Sequence, residues 1–126
     1  MSLRSPLGRA LGLGAAGNGT QHWWQQRVTA VALALLGAWF AICIVGADLA
    51  DRAALTAWIA RPLNATLLLL LVLTAAWHSL LGSRVVVEDY VKGAIKVPLL
   101  LTLQFVHAIA AVVGVVAVLQ IAIGGT

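Results

Sequence analysis

Three long stretches of apolar residues, separated by short segments that carry most of the charges, divide this chain. The first, VTAVALALLGAWFAICIVGA, follows Arg27 and has no charged residue over about 20 positions, enough to cross roughly 30 Å of hydrocarbon. The next two follow Pro62 and Pro98, and a proline in the first turn of a helix costs no hydrogen bond. The pattern predicts transmembrane helices over about residues 27–47, 62–84 and 97–123.

The composition supports this interpretation, because 62% of the 126 residues are hydrophobic and only 10% are charged, against about 25% charged in soluble domains. We predict an all-α integral membrane protein, with a flexible cytoplasmic leader over residues 1–20 and a three-helix anchor domain over residues 21–126. The sequence shows no phosphate-binding glycine loop after a strand, no zinc pattern and no basic run for nucleic acid. Cys43 is the only cysteine and is interpreted as a small core residue.

The distribution of basic residues predicts the orientation in the membrane. The N-terminal segment, up to Arg27, holds three Lys and Arg residues, and the second connection, about residues 85–96, holds three more when Arg84 at its border is included, whereas the first connection, about residues 48–61, holds two. Connections rich in Lys and Arg stay inside. We therefore expect the N-terminus and the second connection inside and the C-terminus outside.

His78 is the most informative single residue. An imidazole within a span is costly to leave unpaired and usually faces the bundle interior. Of its helical neighbours Leu71, Thr74, Ala75 and Gly82, three are small, so a flat macrocycle could approach this face and a ring nitrogen could bind its iron. The alternative interpretation is an interhelical hydrogen bond, which the spacing alone favours. Bis-histidine haem ligation would require a second protein.

Charged and aromatic residues near the predicted inner boundary are further candidates. The phenol of Tyr90 could donate a hydrogen bond to a quinone carbonyl, and Asp89 could tune it or relay a proton; the pair also fits an ordinary interface. Arg27 could pair with an anionic group such as a haem propionate or simply reach the headgroups, and Arg84 has the same two interpretations.

Three other polar residues receive no assigned role. His107 shares a helical stripe with Gln104 and could be a second ligand, although polar packing against other helices explains it as well. His22, beside two tryptophans, is interpreted as interfacial.

Three sequence matches indicate a family. The first is WWQQRVTAVAL, the second is His78 followed four residues later by Gly82, and the third is Asp89-Tyr90, with the tyrosine twelve residues after the histidine. On these matches the chain resembles, over roughly residues 21–120, the small hydrophobic membrane anchor of succinate dehydrogenase (respiratory complex II), the smaller of the two anchor proteins in that complex.

The resemblance implies roles for the candidate residues. His78 would be one axial ligand of haem b, which is shared with the larger cytochrome b anchor, and Arg27 would lie near the haem propionates. Tyr90 would hydrogen-bond ubiquinone, with Asp89 beside it, in a pocket shared with that larger anchor and the iron–sulfur protein. Electrons would come from succinate through the flavoprotein of the complex.

The function implied is that of one component of succinate:ubiquinone oxidoreductase, linking the tricarboxylic acid cycle to electron transport, with no dehydrogenase active site in this chain alone. The implied location is the bacterial inner membrane, or the mitochondrial inner membrane in a eukaryote. A quinol:fumarate reductase anchor is one alternative. A non-redox membrane assembly or transport protein is another.

Overall fold

The structure is a computed structural model that describes residues 16–46 and 51–124. These residues form four helices: α1 is Ala16–Val45, α2 is Arg52–Ile59, α3 is Pro62–Tyr90 and α4 is Lys96–Gly124. Three of them, α1, α3 and α4, are long and apolar enough to cross a membrane. The predicted all-α fold with three spans is confirmed.

Two helices extend further than their apolar windows. Helix α1 begins at Ala16, so residues 16–20, predicted as leader, are helical, and residues 1–15 of that leader lie outside the described part. Helix α3 continues past Arg84 to Tyr90, because Val87 remains buried and holds the last turns in place. Charged residues mark where the membrane ends, whereas a helix continues as long as its backbone bonds and packing persist.

A short helix, α2, occupies the predicted first connection. The side chain of Asp51 accepts hydrogen bonds from the backbone N–H of Ala53 at 2.8 Å and of Ala54 at 3.1 Å, which caps its N-terminus. At its other end the carbonyl of Trp58 accepts from the Asn64 side chain at 2.8 Å and from the backbone N–H of Arg61 at 3.3 Å, so this terminal carbonyl is satisfied. Trp58 stacks on Trp39 of α1 with ring centroids 5.8 Å apart, so α2 is tied to the end of α1.

Helix α3 is the centre of the bundle. It contacts both α1 and α4, whereas α1 and α4 have no contact with each other within the described ranges. The five buried hydrophobic side chains of the described chain all belong to α3: Ala65, Leu68, Leu80, Leu81 and Val87. The outer faces of α1 and α4 are apolar and exposed in the single chain, so lipid or other spans must cover them.

A tight turn reverses the chain between α3 and α4. Only residues 91–95 connect the helices, and Gly93 has a φ of +80°, a left-handed conformation that glycine adopts without steric cost. The ammonium group of Lys96 donates to the backbone carbonyl of Glu88 at 2.9 Å. This bond satisfies a terminal carbonyl of α3 and holds the start of α4 against it.

Glycine permits the close approach of α3 and α4 at one point. A Cβ atom placed on Gly114 would lie 2.7 Å from Cγ1 of Val72 on α3. Real Cβ atoms do not approach other atoms so closely, and the β-branched valine has little rotamer freedom to move aside. Gly114 therefore sets the spacing of these two spans.

We expect Gly114→Ala to destabilise the protein by about 1–3 kcal/mol, since the added methyl overpacks the contact with Val72. The measurement is the unfolding midpoint of the purified protein in mild detergent. Gly37→Ala is the matched control, because a Cβ on Gly37 has no atom within 4 Å. An unchanged midpoint for Gly114→Ala, or an equal fall for Gly37→Ala, would contradict this packing.

Candidate functional site

His78 lies in a polar contact between α3 and α1. Its Nδ1 is 2.9 Å from the hydroxyl oxygen of Thr29, and its Nε2 is 3.4 Å from the side-chain nitrogen of Gln26. The ring is half-buried. Of the two interpretations of His78, the interhelical hydrogen bond is confirmed in the single chain, and iron ligation stays a prediction.

Two residues of α1 contact His78, and neither was identified from the sequence. Gln26 and Thr29 are three positions apart, so they share one helical face, and this polar pair at the start of an apolar run was the available signal. The side-chain oxygen of Gln26 is buried and has no hydrogen-bond partner among the described residues. An unpaired buried carbonyl oxygen is costly and indicates a polar pocket whose hydrogen bonding is incomplete.

Gly82, one of the small residues predicted beside His78, lies against α1. A Cβ on Gly82 would lie 3.6 Å from the side-chain nitrogen of Gln26, which is ordinary contact distance. A groove of about 250 Å³ continues from Gln26 along the same seam, lined also by His22, Trp23, Leu81 and Val85. The surroundings of His78 therefore combine polar groups with free space.

Arg27 is exposed and does not bind within the bundle. Its guanidinium carbon lies 5.5 Å from the centroid of the Trp23 ring, a cation–π contact. Among the described residues it forms no ion pair, so its charge is available to an anionic group outside this chain. The structure does not bring Arg27 into contact with His78.

Asp89 and Tyr90 are the last two residues of α3, and both side chains are exposed. Tyr90 is 82% exposed, and neither side chain makes a hydrogen bond to another described residue. The predicted connection over residues 85–96 is therefore wrong at its start, since the pair ends the same helix that carries His78. Twelve residues separate Tyr90 from His78, which is roughly 18 Å along the helix axis.

His107 packs against α3 through hydrogen bonds. Its Nε2 is 3.1 Å from the hydroxyl of Ser79, and its Nδ1 is 2.7 Å from the carbonyl oxygen of Leu103. With Gln104 it lines a groove of about 260 Å³ between α3 and α4. The interpretation as polar packing is confirmed, and both ring nitrogens have partners within the chain.

A closed metal site is not found in the described parts of the chain. Residues 16–46 and 51–124 contain no group of three or more His, Cys, Asp or Glu side chains that could hold a metal ion. Haem has a different requirement, because its macrocycle supplies four nitrogens and the protein adds axial ligands. A single histidine such as His78 meets that requirement for one axial position.

Comparison with known proteins identifies the family. Residues 1–118 match the model of the succinate dehydrogenase/fumarate reductase transmembrane subunit. The chain is 36% identical over 92 residues to the succinate dehydrogenase hydrophobic membrane anchor subunit of Paracoccus denitrificans, covering 73% of this chain and 71% of that one. It is 34% identical over 88 residues to the protein of the same name from Rickettsia bellii (strain RML369-C), covering 70% of each.

These matches confirm the resemblance that the histidine, glycine and Asp-Tyr spacings indicated. The chain is a multi-pass membrane protein, and it belongs to the family of succinate dehydrogenase/fumarate reductase transmembrane subunits.

Proposed function

We propose that this chain is the small membrane anchor of a succinate:ubiquinone oxidoreductase and contributes to a haem b site and to the site of ubiquinone reduction. The observation that carries the proposal is His78, a histidine within a span whose Nε2 has only a long 3.4 Å contact with Gln26. The larger cytochrome b anchor, the iron–sulfur protein and the flavoprotein would supply the rest of the complex. Succinate oxidation itself would take place on those partners.

The residues around His78 fit a haem. Nε2 of His78 would be the axial ligand, and the unpaired oxygen of Gln26 marks a pocket whose polar groups are not fully used by the chain. The second axial ligand would come from the larger anchor, because His107 is already engaged with Ser79 and Leu103. Haem b, when bound, supplies a one-electron centre whose potential depends on its ligands and burial.

Arg27 would hold the haem propionates. A buried or interfacial carboxylate needs a positively charged partner, and guanidinium is the group best suited to bind carboxylates. Arg27 lies on α1 next to Gln26 and is exposed, which leaves it accessible to a group held between this chain and a partner.

Tyr90 and Asp89 would form this chain's part of the quinone site. The Tyr90 phenol would donate a hydrogen bond to a ubiquinone carbonyl and stabilise the negative charge that develops there during reduction. Asp89, next to Tyr90, would take part in proton transfer to the quinone. An acid in the last turn of a helix opposes the helix dipole, and such departures from local preference are typical of functional positions.

The orientation we propose places the Tyr90 end of α3 at the inner face of a bacterial cytoplasmic membrane and the C-terminus outside, as the distribution of Lys and Arg favours. This orientation would put Asp89 and Tyr90 on the side where the soluble partners would bind. A structure of the assembled complex with those partners at the opposite end of the spans, near Trp58, would overturn it.

A quinol:fumarate reductase anchor is the second candidate function, because the matching family includes transmembrane subunits of both enzymes. The two would share the same architecture, and the direction of electron flow would follow from the potential of the quinone. Comparing succinate-driven and quinol-driven turnover of the purified complex separates them.

We expect His78→Ala to abolish the b-type signal in the reduced-minus-oxidised optical spectrum of the purified complex, since the iron would lose an axial ligand. His107→Ala is the matched control, because it also removes an imidazole from a span, and it should leave that signal in place. Haem ligation by this chain would be wrong if the His78→Ala complex gave an unchanged spectrum.

We expect Tyr90→Phe to lower kcat/KM for ubiquinone by about 10-fold or more, the effect of losing one hydrogen bond to a charged intermediate. Succinate oxidation with an artificial dye should be unaffected, because it does not use the quinone site. Trp24→Phe, at an exposed aromatic on α1, is the control for a general effect on the membrane surface. Normal ubiquinone turnover in Tyr90→Phe would remove Tyr90 from the mechanism.

A further inference from the structure

The hydroxyl of Thr29 has one proton, and the group to which it donates that proton determines which tautomer of His78 can pair with it. That oxygen lies 2.8 Å from the backbone carbonyl of Gln25, four residues earlier. Thr66 and Thr102 make the same bond to the carbonyls of Pro62 and Pro98, as threonines within helices commonly do. Donating its proton to that carbonyl leaves the Thr29 oxygen as an acceptor toward His78.

An acceptor at Nδ1 requires the hydrogen of the neutral imidazole to be on Nδ1. The bond from Nδ1–H to Thr29 is 2.9 Å long, within the usual range. Nε2 is then unprotonated, and its one hydrogen-bonding contact among the described residues is with a side-chain N–H group of Gln26, the two nitrogens being 3.4 Å apart. That distance exceeds the usual range of about 2.7–3.2 Å, so the lone pair of Nε2 is only weakly engaged.

We propose that Thr29 is a positioning residue for the haem iron: it holds His78 in the Nδ1–H tautomer, orients the ring and leaves Nε2 as the ligating atom. This inference rests on the proposed function, and it assigns a role to a residue of α1 that has no contact with the iron. A hydrogen bond from the far nitrogen of a ligating histidine also makes the ligand more basic. A more basic ligand stabilises ferric iron, so Thr29 lowers the haem midpoint potential.

The side chain of Gln26 lies on the side of the ring from which iron would approach Nε2. The chain has room for this side chain to rotate away. Gly82 has no side chain to confine it, and Gln26 itself lines the groove of about 250 Å³ that continues along the α1–α3 seam. Rotation of one side chain into this groove would expose Nε2 without breaking the bond between Thr29 and Nδ1.

The test is a redox titration of haem b in the purified complex carrying Thr29→Val, which keeps the shape of the side chain and removes the acceptor. Loss of such a partner changes metal binding about 10- to 100-fold. If the preference of the site for ferric over ferrous haem falls tenfold, the midpoint potential rises by about 59 mV. We expect a rise of at least this order, with haem retained. Thr29→Ala should show the same rise, and this variant does not weaken the helix because alanine has the higher helix propensity.

Two controls separate this role from general packing. Thr29→Ser restores the hydroxyl and should return the potential to its original value. Thr102→Val removes a hydroxyl with the same intrahelical bond but no histidine partner, and it should leave the potential unchanged.

An unchanged potential in Thr29→Val and Thr29→Ala, with haem intact, would overturn the role of Thr29 while leaving haem ligation by His78 in place. Failure of Thr29→Ser to restore the potential would also overturn it. Failure of the proposed function gives a different result, because a complex without haem, or a haem signal that persists in His78→Ala, shows up before any potential is compared.

Discussion

The contact of His78 with Thr29 and Gln26 is the interaction on which the arrangement of the spans depends most. An imidazole in hydrocarbon must be hydrogen-bonded, because the bilayer core supplies no water to replace a missing partner. Helix α1 meets that need from one face, and it contacts no other span of the described chain. The polar contact therefore fixes the position of α1 along α3 and its rotation about its own axis. Apolar contacts alone are not directional and would define both quantities poorly.

Helix α3 connects this contact rigidly to the two proposed site residues at its end. His78 faces α1, whereas Asp89 and Tyr90 extend into the surroundings at the end of the same helix. Because one continuous helix joins them, their separation of roughly 18 Å along the axis does not depend on the conformation of a loop. The bond from Lys96 to the carbonyl of Glu88 secures the end of that helix. In the function we propose, the chain acts by holding groups at set positions, and the reacting partners come from other proteins of the complex.

The structural features that depend on composition and on the length of apolar runs could be predicted from the sequence. The features that depend on tertiary contacts could not. Three spans followed from apolar length, and His78 was evident as an ionisable residue in a span. The end of α3 was misplaced because Arg84 ends the apolar window, while burial of Val87 extends the helix. Helix α2 was missed although Asp51 and Pro62 are standard terminal signals. Thr29 and Gln26 could not be paired with His78 without knowing which faces meet, and only the family resemblance named haem and quinone as ligands.

Ligation of haem iron by His78 is tested most directly by a high-resolution structure of the purified complex, determined by electron cryo-microscopy. The proposed role of Thr29 predicts a haem whose iron is bonded to Nε2 of His78, with Nδ1 still within hydrogen-bond distance of the Thr29 hydroxyl and Gln26 turned away from the ring. A map in which both ring nitrogens of His78 contact only protein, or in which iron is bonded to Nδ1, would contradict it.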